Sequence, residues 1–305
     1  MTAVIIRRFL RLIIVLIGVS LMTFFMLKLT GDPVTVMLPE STEADRAVLR
    51  EAMGFNEPLP IQLYYHFKRM VQGDFGVSYF HHKTPAMKLV LERMPTTILL
   101  TLLAMTLAIV ISVPAGIMSA VRRYSLLDNI VTVIVFLGQS MPVFWTGIML
   151  MLLFAVRFRL LPVSGWGGWE FMVLPAFTLG MYQTPLILRL VRSSMLEVLS
   201  LDYIRTARAK GLVERMVVYK HALKNAAIPV VTVIGLQFGA LLGGAVITET
   251  VFAIPGLGRL IVRAIGQLDF PIVQAGVFVL CLIVVTVNFL VDMLYIFLNP
   301  QVRIH

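Results

Sequence analysis

Five stretches of this chain run for 18 residues or more without an Asp, Glu, Lys or Arg: Pro95–Ala120, Asn129–Val156, Phe171–Leu188, Ala226–Thr248 and Phe270–Val291. Runs of that length are what a helix needs to cross the hydrocarbon of a bilayer. A sixth, Thr2–Leu29, begins with Arg7, Arg8 and Arg11 and continues as IIVLIGVSLMTFFML. A basic start before an apolar run also suits a signal peptide. Gly31-Asp32-Pro33 is a poor cleavage site and the run is long, so an uncleaved first span is expected. Backbone in lipid must satisfy its own hydrogen bonds, which leaves helices as the answer for six such runs. The expectation is an all-α integral membrane protein with six transmembrane helices.

Composition excludes soluble domains of the same length. Of 305 residues, 59% are hydrophobic and 14% charged, with a mean hydropathy of +0.91. The net charge of +10 sits mostly in short loops beside the spans, which argues for membrane topology over a nucleic-acid face. The single cysteine, Cys281, excludes a disulfide within the chain.

Charge also orients the spans. With Arg11 and Asp292 counted in the spans, the termini and the connections 121–128 and 189–224 carry 13 Lys/Arg against four acids, Asp128, Glu197, Asp202 and Glu214. The short connections on the other side carry Arg157, Arg159, Arg259 and Arg263. The positive-inside rule places both termini in the cytoplasm and residues 30–94 outside. Three parts result: 1–29, the cytoplasmic N-terminus and first span; 30–94, an external loop or lid; and 95–305, a five-helix membrane core.

Within residues 30–94, Thr42 and Asp45 resemble a capping box opening a helix that ends at Gly54. Pro60 suits the start of another helix, with Tyr64, Phe67 and Val71 on one stripe. Gly73–Ser78 makes a turn. This segment reads both as a lid on the outer ends of the spans and as a docking surface for a substrate-binding protein.

One polar, basic island interrupts the apolar core: DYIRTARAKGLVERMVVYKHALKNAAIP, residues 202–229. Asp202 is expected to cap a short helix from Tyr203. Lys210 suits its C-terminal dipole and Gly211 its stop. At 3.6 residues per turn Tyr203, Ala207, Lys210 and Gly211 share a side, small enough at two positions for a partner's backbone to approach. A second short helix, 213–221, is expected before Pro229 opens the next apolar run.

Thr206-Ala207-Arg208-Ala209-Lys210-Gly211, with His221, Asn225 and Pro229, resembles the cytoplasmic "EAA" loop of ABC-importer permease subunits. Arg205, Thr206 and Ala207 stand where the general pattern has Glu-Ala-Ala, and Lys224 stands where it has Pro. Both departures are similar to the dipeptide, oligopeptide, glutathione and nickel subgroup. Gly73-Asp74-Phe75-Gly76-Val77-Ser78 and Pro255-Gly256-Leu257-Gly258-Arg259 resemble further segments of that subgroup. The resemblance covers essentially the whole chain. It implies a type I ABC importer permease-like bundle in a bacterial inner membrane, forming the translocation pathway for peptides. A nickel or metal-chelate permease of the same family is the alternative. It also implies a coupling loop, 197–224, whose Tyr203, Arg205, Thr206, Ala207, Lys210 and Gly211 meet the ATPase. Pro255, Gly256, Gly258 and Arg259 would belong to a short external helix at the outer gate. The implied partners are a second related permease subunit, two ATPase subunits and an external solute-binding protein. ATP and Mg would be used by the partner subunits, and no cofactor is expected on this chain.

The remaining signals lie in the spans. Pro114, Gly116, Pro142, Pro175 and Pro185 favour a bundle with a cavity, because freed carbonyls need partners. Gly235, Gly239 and Gly243 recur every four residues, a strip that permits close packing. Gln139, Ser140, Met141, Gln237 and Asn288 are candidates for lining a pathway. Asp292, one turn from Asn288, is expected at the cytoplasmic end within reach of a basic terminus, in a structural ion pair rather than a proton relay. Walker A, HExxH and GxSxG motifs are absent, and His81-His82 reads as surface histidine. An intramembrane enzyme would need a second acid or a metal cluster at the depth of Asp292. An ion-driven transporter would show inverted repeats and paired broken helices.

Overall fold

The computed structural model describes residues 2–30, 33–37, 40–52 and 54–298, with some side chains inside those ranges undescribed. Helices account for every named element: α1 Thr2–Thr30, α2 Pro33–Met37, α3 Glu43–Ala52, α4 Leu59–Val71, α5 Ala86–Val121, α6 Leu126–Ser140 and α7 Val143–Leu150. Then come a π-helical stretch Met151–Arg157, α8 Glu170–Leu199, α9 Asp202–Ala209, α10 Glu214–Met216 and a second π-helical stretch Val217–Ala222. α11 Leu223–Val251, α12 Leu257–Gln267 and α13 Phe270–Leu298 complete the chain. Five helices are long and apolar enough to cross a membrane: Ile6–Met26, Ala86–Val121, Glu170–Leu199, Glu214–Val251 and Phe270–Met293.

The remaining span, expected as one run over Asn129–Val156, is broken. α6 stops at Ser140, Met141 is extended, and Pro142 opens the shorter α7. Proline clashes with an αR conformation at the residue before it and brings no N–H of its own. Pro95, Pro114, Pro175, Pro185 and Pro229, by contrast, lie inside continuous helices. Pro229 therefore does not open the fifth span. That helix runs from Glu214 to Val251, and the expected separate helix 213–221 is its N-terminal end.

α5 and α8 form the most extensive pairing, with α11 laid on both and α13 on α11. Small residues set these distances. A Cβ on Gly180 would lie 2.7 Å from the Ala104 carbonyl oxygen, and one on Gly116 2.8 Å from Val191. On α11, Gly235 and Gly239 face Val291 and Val284 of α13, whereas Gly243 faces open space and Gly244 meets Leu179 of α8. The strip is a packing device at two of its three positions. Ser112 adds a polar tie, donating to the Thr184 carbonyl at 3.0 Å.

The segment between α1 and α5 meets the bundle through α4 and the 73–85 turn. Thr42 and Asp45 make the reciprocal bonds of a cap, and the chain leaves α3 through Gly54 at φ +71°. His66 on α4 bonds Ser20 of α1 at 2.8 Å. The Gly73–Ser78 turn holds Gly76 N–H on Asp74 (2.8 Å) and buries Phe75 against α12 and α13. Asp292 pairs with Arg8, which ties α13 to α1 as the charge pattern suggested.

Candidate functional site

The polar island builds the first candidate. α8 extends to Leu199, well past the end of its uncharged run, and the chain turns at Leu201 into α9. Leu201 occupies the N-cap and Asp202 the first helical position, so Asp202 is not the cap; there its charge still suits the dipole. The helix ends with Gly211 N–H on the Arg208 carbonyl (2.9 Å) and Leu212 N–H on the Ala207 carbonyl (3.4 Å). Gly211 sits at φ +77°. This pair of bonds around a left-handed residue is a Schellman stop.

α9 turns Ile204 and Ala207 inward, onto a core shared with Val198, Val217, Val218 and Ala222. Ala207, 8% exposed, is therefore packed on its own chain and does not belong to an outward face with Tyr203. Isoleucine and alanine three residues apart form the only apolar stripe such a polar helix can bury. Tyr203, Arg205, Thr206, Lys210 and Gly211 remain exposed together, and nothing lies within 4 Å of a Cβ built on Gly211. The loop is fastened locally. Asn225 Nδ2 donates to the Tyr203 hydroxyl (2.7 Å), and Arg208 grips Glu214 through two nitrogens at 2.7 and 3.1 Å. Behind it, Arg192 of α8 holds Asp128 of α6 at 2.9 Å, and Ser119 of α5 bonds the same carboxylate.

The second candidate is the corner where α11 passes into α12. Glu249, at the end of α11, has no exposed surface. It receives a hydrogen bond from the Thr97 hydroxyl (2.5 Å) and one from the Arg259 N–H (3.0 Å), while Leu257 N–H donates to Thr97 Oγ1 (2.8 Å). A carboxylate and a hydroxyl from two other helices thus cap α12. Gly256 and Gly258 are required by closeness: a Cβ on Gly256 would meet the Glu249 carboxylate at 2.2 Å, and one on Gly258 the Val246 Cα at 2.5 Å. Arg259 also donates to the Ala253 carbonyl. Beside this corner, Ser78 donates to the buried Asp269 at 2.5 Å, which pins the 73–85 turn to the α12–α13 junction. Burial, and then the Asp269 carboxylate, push the Tyr79 phenol up to about 12. Sequence reasoning missed Glu249 and Thr97. The two glycines of PGLG, one residue apart after an acid in an apolar run, were the signal that something must fit against them.

The pathway candidates are scattered. Ser140 and Met141 lie at the α6–α7 break, exposed on this chain. Gln237 and Asn288 are half-buried on α11 and α13, and Asn288 Oδ1 is buried without a partner among the described residues. The Gln139 side chain lies outside the described residues. His81 bonds Ser78, and no group of three or more His, Cys, Asp or Glu that would hold a metal occurs among the described residues.

Two family models match this chain: the binding-protein-dependent transport system inner membrane component over residues 112–304, and the N-terminal part of the membrane component over residues 1–101. The chain belongs to this transport-component family. It is a multi-pass membrane permease of the ABC-importer type. The oligopeptide transport system permease protein AppB of Bacillus subtilis is 39% identical over 99% of this chain and 100% of its own. The dipeptide permease DppB of Escherichia coli K12 is 40% identical over 98% of each. The glutathione permease GsiC of Salmonella typhi is 40% identical, again over 98% of each. Among solved structures, the inward-facing MetNI methionine ABC transporter aligns with a TM-score of 0.59 at 22% identity, covering 70% of this permease and 97% of that chain. The agreement in fold is with a type I importer permease.

Proposed function

We propose that this permease carries peptides across a bacterial inner membrane as one wall of an ABC importer. ATP hydrolysis in separate subunits would drive it through α9. The observation that carries the reading is the exposed Tyr203–Gly211 face. It is a short polar helix with an open, left-handed stop, mounted between two membrane-crossing helices and buried only along Ile204 and Ala207. That is a surface made to be gripped. Full-length similarity to peptide and glutathione permeases supports a peptide cargo. The finer assembly is a second permease subunit, two ATPase subunits that use ATP and Mg, and an external solute-binding protein. This chain binds no cofactor. Closure of the ATPases would push α9 and rock the spans between inward- and outward-open states.

The test is reconstitution. The chain alone in liposomes neither hydrolyses ATP nor moves peptide. Adding the ATPases restores hydrolysis, and the complete set with binding protein imports labelled dipeptide or glutathione. Saturable ATP binding by the isolated chain, or peptide uptake without the ATPases, would defeat the proposal. Orientation is tested in a Cys281→Ser background with an impermeant thiol reagent: Asp45→Cys is labelled in intact cells and Arg208→Cys is not.

A further inference from the structure

Beside the capped N-terminus of α12 lies a cavity of about 210 Å³ into which three guanidinium-bearing residues converge. Arg93 comes from α5, Arg259 and Arg263 from successive turns of α12, and His81 from the 73–85 turn. No acid lines it. The two carboxylates nearby are fully buried behind the lining: Glu249 accepts from Thr97 and the α12 backbone, and Asp269 accepts from Ser78 through Oδ2, 4.0 Å from His81 Nδ1. Arg93 and Arg263 form no ion pair within the described residues. Arg259 is held in place by its bond to the Ala253 carbonyl. Burial, and then the charges of Arg263 and Arg93, lower the proton affinity of Arg259. Three like charges around one cavity repel, and an anion relieves the repulsion. Phe80, Leu260 and Ile272 supply an apolar wall next to the charges.

We propose that this cavity is a binding site for the carboxylate of a small solute, gripped by Arg93, Arg259 and Arg263 with its apolar part against Phe80 and Ile272. Guanidinium forks match a carboxylate's two oxygens; among the described residues no carboxylate pairs with Arg93 or Arg263, and Arg259 spends one nitrogen on the Ala253 carbonyl. The space suits a carboxylate and the short side chain beside it. The choice of a peptide as probe rests on the import reading above; the site itself rests on the arginine cavity.

The experiment measures binding of dialanine to the full chain in phosphatidylcholine nanodiscs, without binding protein or ATPase. Dialanine binds saturably, and dialaninamide, which lacks the carboxylate, binds roughly tenfold or more weakly. The exposed, unpaired arginines can be neutralised without disturbing the core, so R93Q/R263Q loses binding by a similar factor, while R157Q, outside the cavity, does not. Equal binding of dialanine and its amide, undiminished binding by R93Q/R263Q, or no saturable binding to the unaltered chain each overturns the site. Inorganic phosphate binding as tightly as dialanine overturns the carboxylate assignment. Import by the R93Q/R263Q assembly at the unaltered rate removes the site and leaves the import reading standing. Failure of the unaltered assembly to import peptide, with dialanine binding intact, does the reverse.

Discussion

The loop around α9 and the corner around α12 are both short helices at the ends of spans, and they are secured in opposite ways. α9 is held by neighbours in sequence: Thr206 on the Asp202 carbonyl, Arg208 on Glu214, Tyr203 on Asn225. Its polar groups stay in water. α12 is held by residues 152 and 160 positions apart, Thr97 with Glu249 and Leu257 with Thr97, all inside the protein. A helix that must present a face is fastened by local bonds that leave that face exposed. A helix that must hold its position is bolted to the core.

The comparison breaks first at Glu249. Glu249→Ala leaves a buried hydroxyl and backbone N–H without their acceptor, and we expect a loss of about 3 kcal/mol, read as a lowered unfolding midpoint of the purified permease. An unchanged midpoint would mean that the corner is not bolted. Next come the glycines. Gly258→Ala drives a methyl into the Val246 backbone, at a cost of about 1–3 kcal/mol. Gly243→Ala, facing open space on the neighbouring helix, raises stability by roughly 0.5–1 kcal/mol, because only its backbone entropy changes. Equal effects in a thermal-shift assay would count against the packing argument.

Around α9 the expected losses of stability are smaller and those of coupling larger. Gly211→Leu strains a positive φ by about 1–2 kcal/mol and adds bulk to the exposed face. Gly211→Asn tolerates the φ but keeps the bulk. Both variants insert, and both lower transport per ATP hydrolysed. Normal coupling in both would show that no partner sits there. Arg208→Ala, which removes an exposed pair, changes stability by roughly 0–1 kcal/mol. A larger drop would mean that the loop depends on this bridge more than its exposure allows.

Much of this was legible in the sequence. Uncharged runs located the spans, Gly211 and the Thr42–Asp45 pair marked helix ends, and the ion pair expected of Asp292 with a basic terminus is made by Arg8. What stayed hidden depended on partners distant in the chain. Pro142 and Pro229 look alike in sequence, yet one breaks a span and the other rides inside a helix, because local spacing does not say which freed carbonyl finds a donor. Ala207 looked like a place for a partner because small residues suit both a docking face and a tight internal contact. Ile204, three residues earlier, decided between them. Glu249 went unremarked because its acceptor role involves Thr97, which no local pattern connects to it.

The continuous helix Glu214–Val251 gives the two regions a common axis. At 1.5 Å per residue its 38 residues span about 57 Å, with the Arg208 bridge at one end and the Thr97–Glu249 bond at the other. Axial travel imposed at the Glu214 end would reach the α12 end less whatever the shaft's two irregular places absorb: the π-helical segment Val217–Ala222, and Pro229, which leaves the helix one backbone hydrogen bond short.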